Sequence, residues 1–172
     1  TMTASTLKRG SIYTIKLMRR GIDIVGGMEQ NILRSLKVRE FMQTGTSVVS
    51  EAATLDEIIA TFTRDNASYL HVVNKEDELT GIISFRDIRA ILDAEEARML
   101  LIAKDMATTR LKTIRPSDSI KKAMAIMSER GISQLPVVAD ENGKRLLGAL
   151  QQKDVLAAYD KMVVRREMEE TR

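Results

Sequence analysis

Cysteine and tryptophan are absent from the 172-residue sequence, and histidine occurs once, as His71. Without cysteine the chain forms no disulfide and offers no thiolate to a metal, and one imidazole is too few for a histidine-based metal site. The same lone histidine gives little support to a Ser/His/Asp triad. No P-loop or GxGxxG string occurs. We therefore expect no enzyme activity, no metal site and no required cofactor.

Aromatic residues and long apolar runs are also scarce. Phe and Tyr together make up 3% of the chain, which argues against the aromatic platforms that bind single-stranded nucleic acid. No stretch approaches the roughly 18 consecutive apolar residues that span a bilayer. The first residues lack the apolar core of a secretory signal. We expect no membrane span within these residues and no nucleic-acid partner.

Charge is distributed unevenly along the chain. Hydrophobic residues make up 44% of the sequence and charged residues 30%, which provides enough apolar material for a globular core. The net charge is +3, but residues 1–37, called the leader below, carry seven basic and two acidic side chains. The rest of the chain therefore has a net charge of −2, and the basic character belongs to the leader.

Two windows about 65 residues apart share one order of features. Apolar residues at helical spacing predict an amphipathic helix in each window. Nine residues after the last of these positions, His71 or Pro136 is followed by two valines, which predicts a short buried strand. The apolar helix positions are Leu55, Ile58, Ile59 and Phe62 in the first window and Ile120, Ala123, Met124 and Met127 in the second.

A polar turn and a second, antiparallel strand follow in both windows. The dipeptide Asn142-Gly143 in the second turn is typical of a β-hairpin. Each unit thus has the order strand, helix, strand, strand, helix, and is too small to bury both faces of its sheet, so two copies should pack together. The predicted returning strands are Leu79–Ser84 and Leu146–Gln151, and the predicted closing helices lie near Phe85–Leu92 and Gln152–Tyr159.

This arrangement resembles a tandem pair of cystathionine-β-synthase-type (CBS) domains, a Bateman module, over about residues 38–160. The resemblance rests on the segment from Val38 to Met42, on the helix-to-valine spacing, and on the segment from Gly81 to Asp87, which matches the family's glycine, Ser/Thr and Asp signature. It implies a mixed α/β (α+β) fold of two β-α-β-β-α repeats with pseudo-two-fold symmetry. The implied ranges are 38–94 for the first repeat, 95–160 for a bridging helix and the second repeat, and 161–172 for a charged tail.

The resemblance also implies an adenine-nucleotide site between the repeats. An aspartate carboxylate accepts hydrogen bonds from two hydroxyls at once, which suits a ribose. Asp87 and Asp154 each stand in the first turn of a closing helix, where unpaired backbone N–H groups favour a phosphate. The ligand is expected to be ATP, ADP or AMP. The implied ligand-binding residues are Ser84, Asp87 and Ser133 in one site and Ser68 and Asp154 in the other, with Thr113 and Gln151 completing the set.

The segment from Ser84 to Asp87 has a second interpretation, as a capping box with Ser84 as the helix N-cap, worth about 1 kcal/mol of helix stability. Capping explains Asp154 less well, because Gln151 stands where the family signature has a hydroxyl residue and is a poor N-cap. Under the capping interpretation the chain is a dimerisation scaffold that binds no nucleotide. Both interpretations stay open at this point.

The leader resembles the connector between the last transmembrane helix and the CBS pair of bacterial CLC-family chloride channels and antiporters. The residues that carry this resemblance run from Ser11 to Gly21 and from Ile32 to Val38. It implies a homodimeric regulatory module on the cytoplasmic face of the cell membrane, attached in the same polypeptide to a transmembrane chloride-transport domain whose ion transport it modulates. A solvated basic linker, or another host such as a magnesium transporter or a metabolic enzyme, is the alternative.

Overall fold

The computed structural model describes residues 33–89, 91 and 100–159. Most of the leader, most of the predicted bridge over residues 95–101 and the charged tail lie outside the described residues. The predicted mixed α/β repeat is confirmed, with both returning strands at the predicted bounds. The elements of the first repeat are a 3-10 helix at Val38–Glu40, β1 at Val48–Ser50, α1 at Leu55–Asp65, β2 at Tyr69–Val73, β3 at Leu79–Ser84 and α2 at Phe85–Arg89.

The second repeat has the same order with one strand fewer. Its elements are α3 at Ala103–Met106, α4 at Ile120–Arg130, β4 at Gln134–Val138, β5 at Leu146–Gln151 and α5 over residues 152–159. In the first sheet β1 runs parallel to β2 and β2 antiparallel to β3, whereas β4 and β5 form an antiparallel pair.

The two long helices begin and end where the sequence provides caps. Thr54 accepts a hydrogen bond from the Glu57 backbone N–H, and the Glu57 side chain accepts one from the Thr54 N–H, so α1 starts with a capping box. The Ser119 side chain caps α4 by accepting a hydrogen bond from the Lys122 N–H, without the reciprocal bond of a capping box. Their C-caps are Asn66 and Gly131, both left-handed.

The two prolines of the chain explain the missing strand. In the first repeat the parallel pairing of β1 with β2 uses the N–H groups of His71 and Glu51, which donate to Ser47 and Val73 carbonyls at 2.9 Å each. The positions 65 residues later are Pro136 and Pro116, which have no N–H to donate. The counterpart of β1 is therefore reduced to one bridge at Ile114, which bonds with the backbone of β4 at 2.9 and 3.0 Å.

The residues around the start of each repeat pack on the other repeat. We call residues 33–43 the first lead-in and residues 102–108 the second lead-in. Leu33 and Val38 of the first lead-in lie in the core of the second repeat, with Ile120, Met127 and Leu135. In exchange, Ala103 of the second lead-in lies in the core of the first repeat, which also contains Leu55, Ile58, Phe62, Leu70, Val72, Ile83 and Ile88.

Backbone hydrogen bonds fix both lead-ins on the sheet edges. Gln43 and Ala149 exchange N–H to carbonyl bonds of 2.8 and 3.0 Å, and Thr108 and Ile82 exchange bonds of 2.9 and 3.1 Å. The strand glycines permit this approach. A Cβ at Gly81 would lie 2.6 Å from the Ala107 Cβ, and one at Gly148 would overlap the Gln43 carbonyl oxygen.

The same contacts show which residues of the two lead-ins are equivalent. Met42 faces Gly148 and Ala107 faces Gly81, so these two residues occupy matching places. Met106 packs against the core of the first repeat, as Phe41 packs against that of the second.

Candidate functional site

A cleft of about 1920 Å³ lies between the two repeats. The first repeat contributes the start of α2 and the residues before β2, and the second contributes α4 and the residues before β4. The second lead-in closes one side. The polar and charged residues that line it include Ser68, Ser84, Arg86, Asp87, Thr108, Arg110, Lys112, Lys121, Arg130, Ser133, Gln134 and Gln152.

Ser84 and Asp87 form the acidic corner of this cleft. The Ser84 hydroxyl donates to Asp87 Oδ2 at 2.6 Å, and the Ser84 backbone N–H donates to the same oxygen at 2.9 Å. The Asp87 N–H in turn donates to the Ser84 hydroxyl oxygen at 3.3 Å. The capping box predicted from the sequence is therefore present. It leaves Asp87 Oδ1 without a hydrogen bond from the described residues, so the corner can cap a helix and still accept a bond from another molecule.

Ser133 and Ser68 reach the same cleft from equivalent positions of the two repeats. The Ser68 carbonyl accepts a 3.3 Å hydrogen bond from the Phe85 N–H, and the Ser133 carbonyl accepts a 2.8 Å bond from the Gln152 N–H. These bonds hold each serine beside the first residue of a closing helix. The structure thus brings Ser84, Asp87, Ser133 and Ser68 together at one cleft.

The other three candidate residues lie elsewhere. Asp154 does not line the cleft, and its Oδ2 accepts a 2.7 Å hydrogen bond from the Gln43 side-chain amide. Gln151 ends β5, and Thr113 precedes the bridge at Ile114. Both are half-buried outside the cleft lining. The structure therefore does not bring Ser68 and Asp154 together at this cleft.

Two kinds of cleft residue were not predicted from the sequence. Phe85 is 47% exposed at the cleft, with its ring edge-on to Phe62 at 5.6 Å and the Arg89 guanidinium 5.9 Å from its centroid. Arg110 and Lys112 are exposed cations of the extended segment that follows the second lead-in. The basic character of this segment is visible in the sequence, but its place in the same cleft as Asp87 depends on the lead-in exchange.

His71 lies at the contact between the two repeats and is 1% exposed. Its Nδ1 is 3.3 Å from the Ser47 carbonyl oxygen, and its Nε2 is 3.4 Å from the Gln134 side-chain amide of the other repeat. Burial lowers the pKa of His71 below its ordinary value, although the hydrogen bond to Ser47 opposes the shift. We therefore expect a neutral, structural imidazole at neutral pH.

Within residues 33–89, 91 and 100–159, no group of three or more His, Cys, Asp or Glu side chains is placed to hold a metal ion. In the same part of the chain, no helix has the length and apolarity needed to cross a membrane.

Comparison with known proteins gives the family. The family model for the CBS domain matches twice, at residues 38–94 and 103–161. An uncharacterised protein of Methanocaldococcus jannaschii is 31% identical over 131 residues, which cover 74% of this chain and 45% of that protein. The inosine-5'-monophosphate dehydrogenase of the same organism is 32% identical over 120 residues, 70% of this chain and 23% of the enzyme.

A chloride channel is among the relatives as well. Chloride channel protein CLC-f of Arabidopsis thaliana is 30% identical over 164 residues, which cover 84% of this chain and 21% of the channel. The chain thus spans less than half the length of each of these three relatives.

Solved structures share the fold. A CBS-domain protein of Bacillus anthracis has a TM-score of 0.67 and 19% identity, covering 77% of this chain and 98% of that one. CBSX2 in complex with AMP has a TM-score of 0.64 and 24% identity over 74% of this chain and 98% of that one. The cytosolic domain of the Mg²⁺ channel MgtE in complex with ATP has a TM-score of 0.63 and 22% identity, covering 74% of this chain and 50% of that chain. With two matches of the family model and this fold, the chain belongs to the CBS-domain family of regulatory modules and carries a tandem pair of CBS domains.

Proposed function

We propose that this CBS pair is a regulatory module that binds an adenine nucleotide in the cleft between its repeats. The observation that carries the proposal is that Ser84 and Asp87 of the first repeat and Ser133 of the second line one cleft. A ligand that contacts both repeats binds one relative arrangement of the repeats better than another, which is the physical requirement for regulation by occupancy.

The Asp87 corner has the chemistry to bind a ribose. Oδ2 is occupied by Ser84, but Oδ1 is free to accept a hydrogen bond from a sugar hydroxyl. The Ser84 hydrogen bonds also fix the carboxylate orientation, which lowers the entropy that a ligand must remove on binding.

The cations of the cleft suit a phosphate chain. Arg86, Arg110 and Lys112 are exposed on the cleft and have no ion pair with the described residues. Apolar side chains complete the lining, among them Ile82, Met124, Ile132 and Pro136, and mostly apolar walls with a few polar groups are typical of small-molecule sites. The related structures of CBSX2 with AMP and MgtE with ATP support an adenine nucleotide as the ligand.

Titration calorimetry with ATP, ADP and AMP tests this proposal. Loss of the Asp87 carboxylate removes about 1.5–3 kcal/mol of charge-assisted hydrogen bonding, so Asp87→Ala should weaken binding by at least tenfold. Asp105→Ala is a matched control, because Asp105 also accepts a helix-start bond, from the Ile102 N–H at 3.2 Å, but lies outside the cleft lining. Silence with all three nucleotides would favour the ligand-free scaffold, in which Asp87 serves as a cap alone.

We propose a chloride-transport domain as the host of this module. The match to the Arabidopsis channel, 30% identical over 84% of the chain, supports this host, together with the resemblance of the leader to the connector of CLC-family proteins. Reconstituted chloride flux of the full-length protein should then depend on ATP, and Asp87→Ala should remove that dependence while leaving the flux without nucleotide unchanged. A magnesium transporter or metabolic enzyme as host would show no chloride flux.

We further propose that the module forms a homodimer at the membrane's cytoplasmic face. Leu100 is 82% exposed and Val48 is 39% exposed, so each leaves apolar surface in contact with water in the single chain. Sedimentation equilibrium should give twice the chain mass, and a single-chain mass at micromolar concentration would contradict the dimer.

A further inference from the structure

The two aspartate corners of this CBS pair are not equivalent, and we infer that the chain binds one nucleotide, at Asp87, because Gln43 fills the corner at Asp154. This inference rests on the proposed function of the cleft. Three differences between the corners carry it.

The first difference is the hydrogen bond that the first lead-in makes with Asp154. The Gln43 backbone is fixed by its paired bonds with Ala149, and from this anchored position its amide Nε2 donates to Asp154 Oδ2 at 2.7 Å. An amide N–H and a ribose hydroxyl are both neutral donors, so Gln43 bonds one Asp154 oxygen with a donor from outside that helix, whereas the occupied oxygen of Asp87 is bonded by Ser84, the cap of its own helix. Because the Gln43 amide belongs to the same chain and its backbone is anchored, it competes with a ligand hydroxyl at a high effective concentration.

The equivalent residue at the other corner leaves the carboxylate accessible. Thr108 pairs with Ile82 as Gln43 pairs with Ala149, but its side chain is shorter. Within the described residues, the Asp87 carboxylate accepts hydrogen bonds from Ser84 alone.

The second difference is the charge of the segments that follow the lead-ins. Arg110 and Lys112 line the same cleft as Asp87. The positions 65 residues earlier are Gly45 and Ser47, and no basic residue lies between Gln43 and Ser47. A polyphosphate in the cleft that Asp87 lines therefore meets two cations of this segment, whereas the matching segment of the first repeat offers none.

The third difference is the residue that orients each carboxylate. Ser84 orients Asp87 through its hydroxyl and N–H. Gln151 stands at the matching position of the second repeat and has no hydroxyl, and Asp154 is oriented from the other repeat by Gln43. All three differences favour ligand binding at Asp87 and a self-contained contact at Asp154.

Calorimetry of the chain with ATP tests the stoichiometry. We expect one ATP per chain, a loss of at least tenfold in affinity for Asp87→Asn, and a change of less than twofold for the matched Asp154→Asn variant. Two ATP per chain, or loss of binding in Asp154→Asn, would overturn this inference while leaving the proposed function intact. Absence of any binding would overturn both.

A gain-of-binding variant tests the role of Gln43 itself. Gln43→Thr copies the residue found at Thr108, so the backbone pairing with Ala149 can be kept. Adenosine is the probe because it needs no cation. In backbone amide NMR spectra, adenosine should shift residues 84–87 in both chains, and residues 153 and 154, which do not line the cleft, in the variant alone. A wild-type chain that responds at 153 and 154, or a variant that stays silent there, would refute the role given to Gln43.

Discussion

Replacing Gly81 by alanine should destabilise the first repeat, because the second lead-in crosses this glycine. A Cβ at position 81 would lie 2.6 Å from the Ala107 Cβ, whereas ordinary contacts begin at 3.4 Å. The lead-in would have to retreat from β3. That retreat would stretch the two hydrogen bonds between Ile82 and Thr108, now 2.9 and 3.1 Å.

The expected loss follows from these contacts. Overpacking of this kind costs about 1–3 kcal/mol, and each weakened backbone bond adds up to about 1 kcal/mol. We expect the free energy of unfolding to fall by about 2–3 kcal/mol in urea denaturation followed by circular dichroism. For a chain of this length the loss corresponds to a Tm lower by roughly 4–12 °C.

The group that a new Cβ would meet at each glycine provides the control experiment. At Gly81 the obstacle is the Ala107 methyl group, so Ala107→Gly in the same chain should restore most of the lost stability. At Gly148 it is the Gln43 backbone carbonyl, so Met42→Ala should not rescue Gly148→Ala. A Gly81→Ala chain within 0.5 kcal/mol of wild type, or a double variant whose losses simply add, would refute the lead-in exchange.

Three further changes test other parts of the fold. Val38→Ala should lower the free energy of unfolding by about 2 kcal/mol. Because Val38 is buried in the second repeat, amide hydrogen exchange should become faster in β4 and β5 and not in β2. The reverse pattern would contradict the packing of the first lead-in on the second repeat. Thr54→Ala removes the N-cap of α1 and should lower the free energy of unfolding by about 1 kcal/mol. Burial lowers the pKa of His71 below its ordinary value of 6.5, so below that pH the unfolded chain takes up a proton that the folded chain does not. Stability should therefore fall as the pH drops below about 6.5, and His71→Gln should flatten that fall between pH 7.5 and 5.5 in parallel denaturation curves.

Local patterns were enough to predict the long helix and the two antiparallel strands of each repeat. Leu55, Ile58 and Phe62 are buried on one face of α1 as their spacing indicates. The hairpin signal at Asn142-Gly143 also holds, since Asn142 Oδ1 accepts from the Lys144 and Arg145 N–H groups and Gly143 has a φ of 64°. These features depend on residues that are close in sequence, and the repeat shows the same local pattern twice.

The features missed in the sequence depend on contacts between the repeats. Gln43 and Asp154 are 111 positions apart, and no local pattern indicates that the residues before one repeat pack on the other. The absent strand of the second repeat is different, because its cause was visible. Pro116 and Pro136 remove two N–H donors from positions where the first repeat uses them, and a comparison of the two copies for donors would have predicted it.

The lead-in exchange determines how an occupied cleft could act on the leader. Leu33 and Val38, the described end of the leader and the residue after it, lie in the core of the second repeat, whereas Asp87 belongs to the first. A nucleotide held between Asp87 and Ser133 would therefore change the position of the first repeat relative to the body to which the leader is attached. Such a shift transmits no more than the differential affinity of the ligand for the two arrangements, about 1–3 kcal/mol. Leu33, the first described residue of the leader, is thus attached to the second repeat and also lines the cleft, and this attachment is what would allow binding at the cleft to act on the leader.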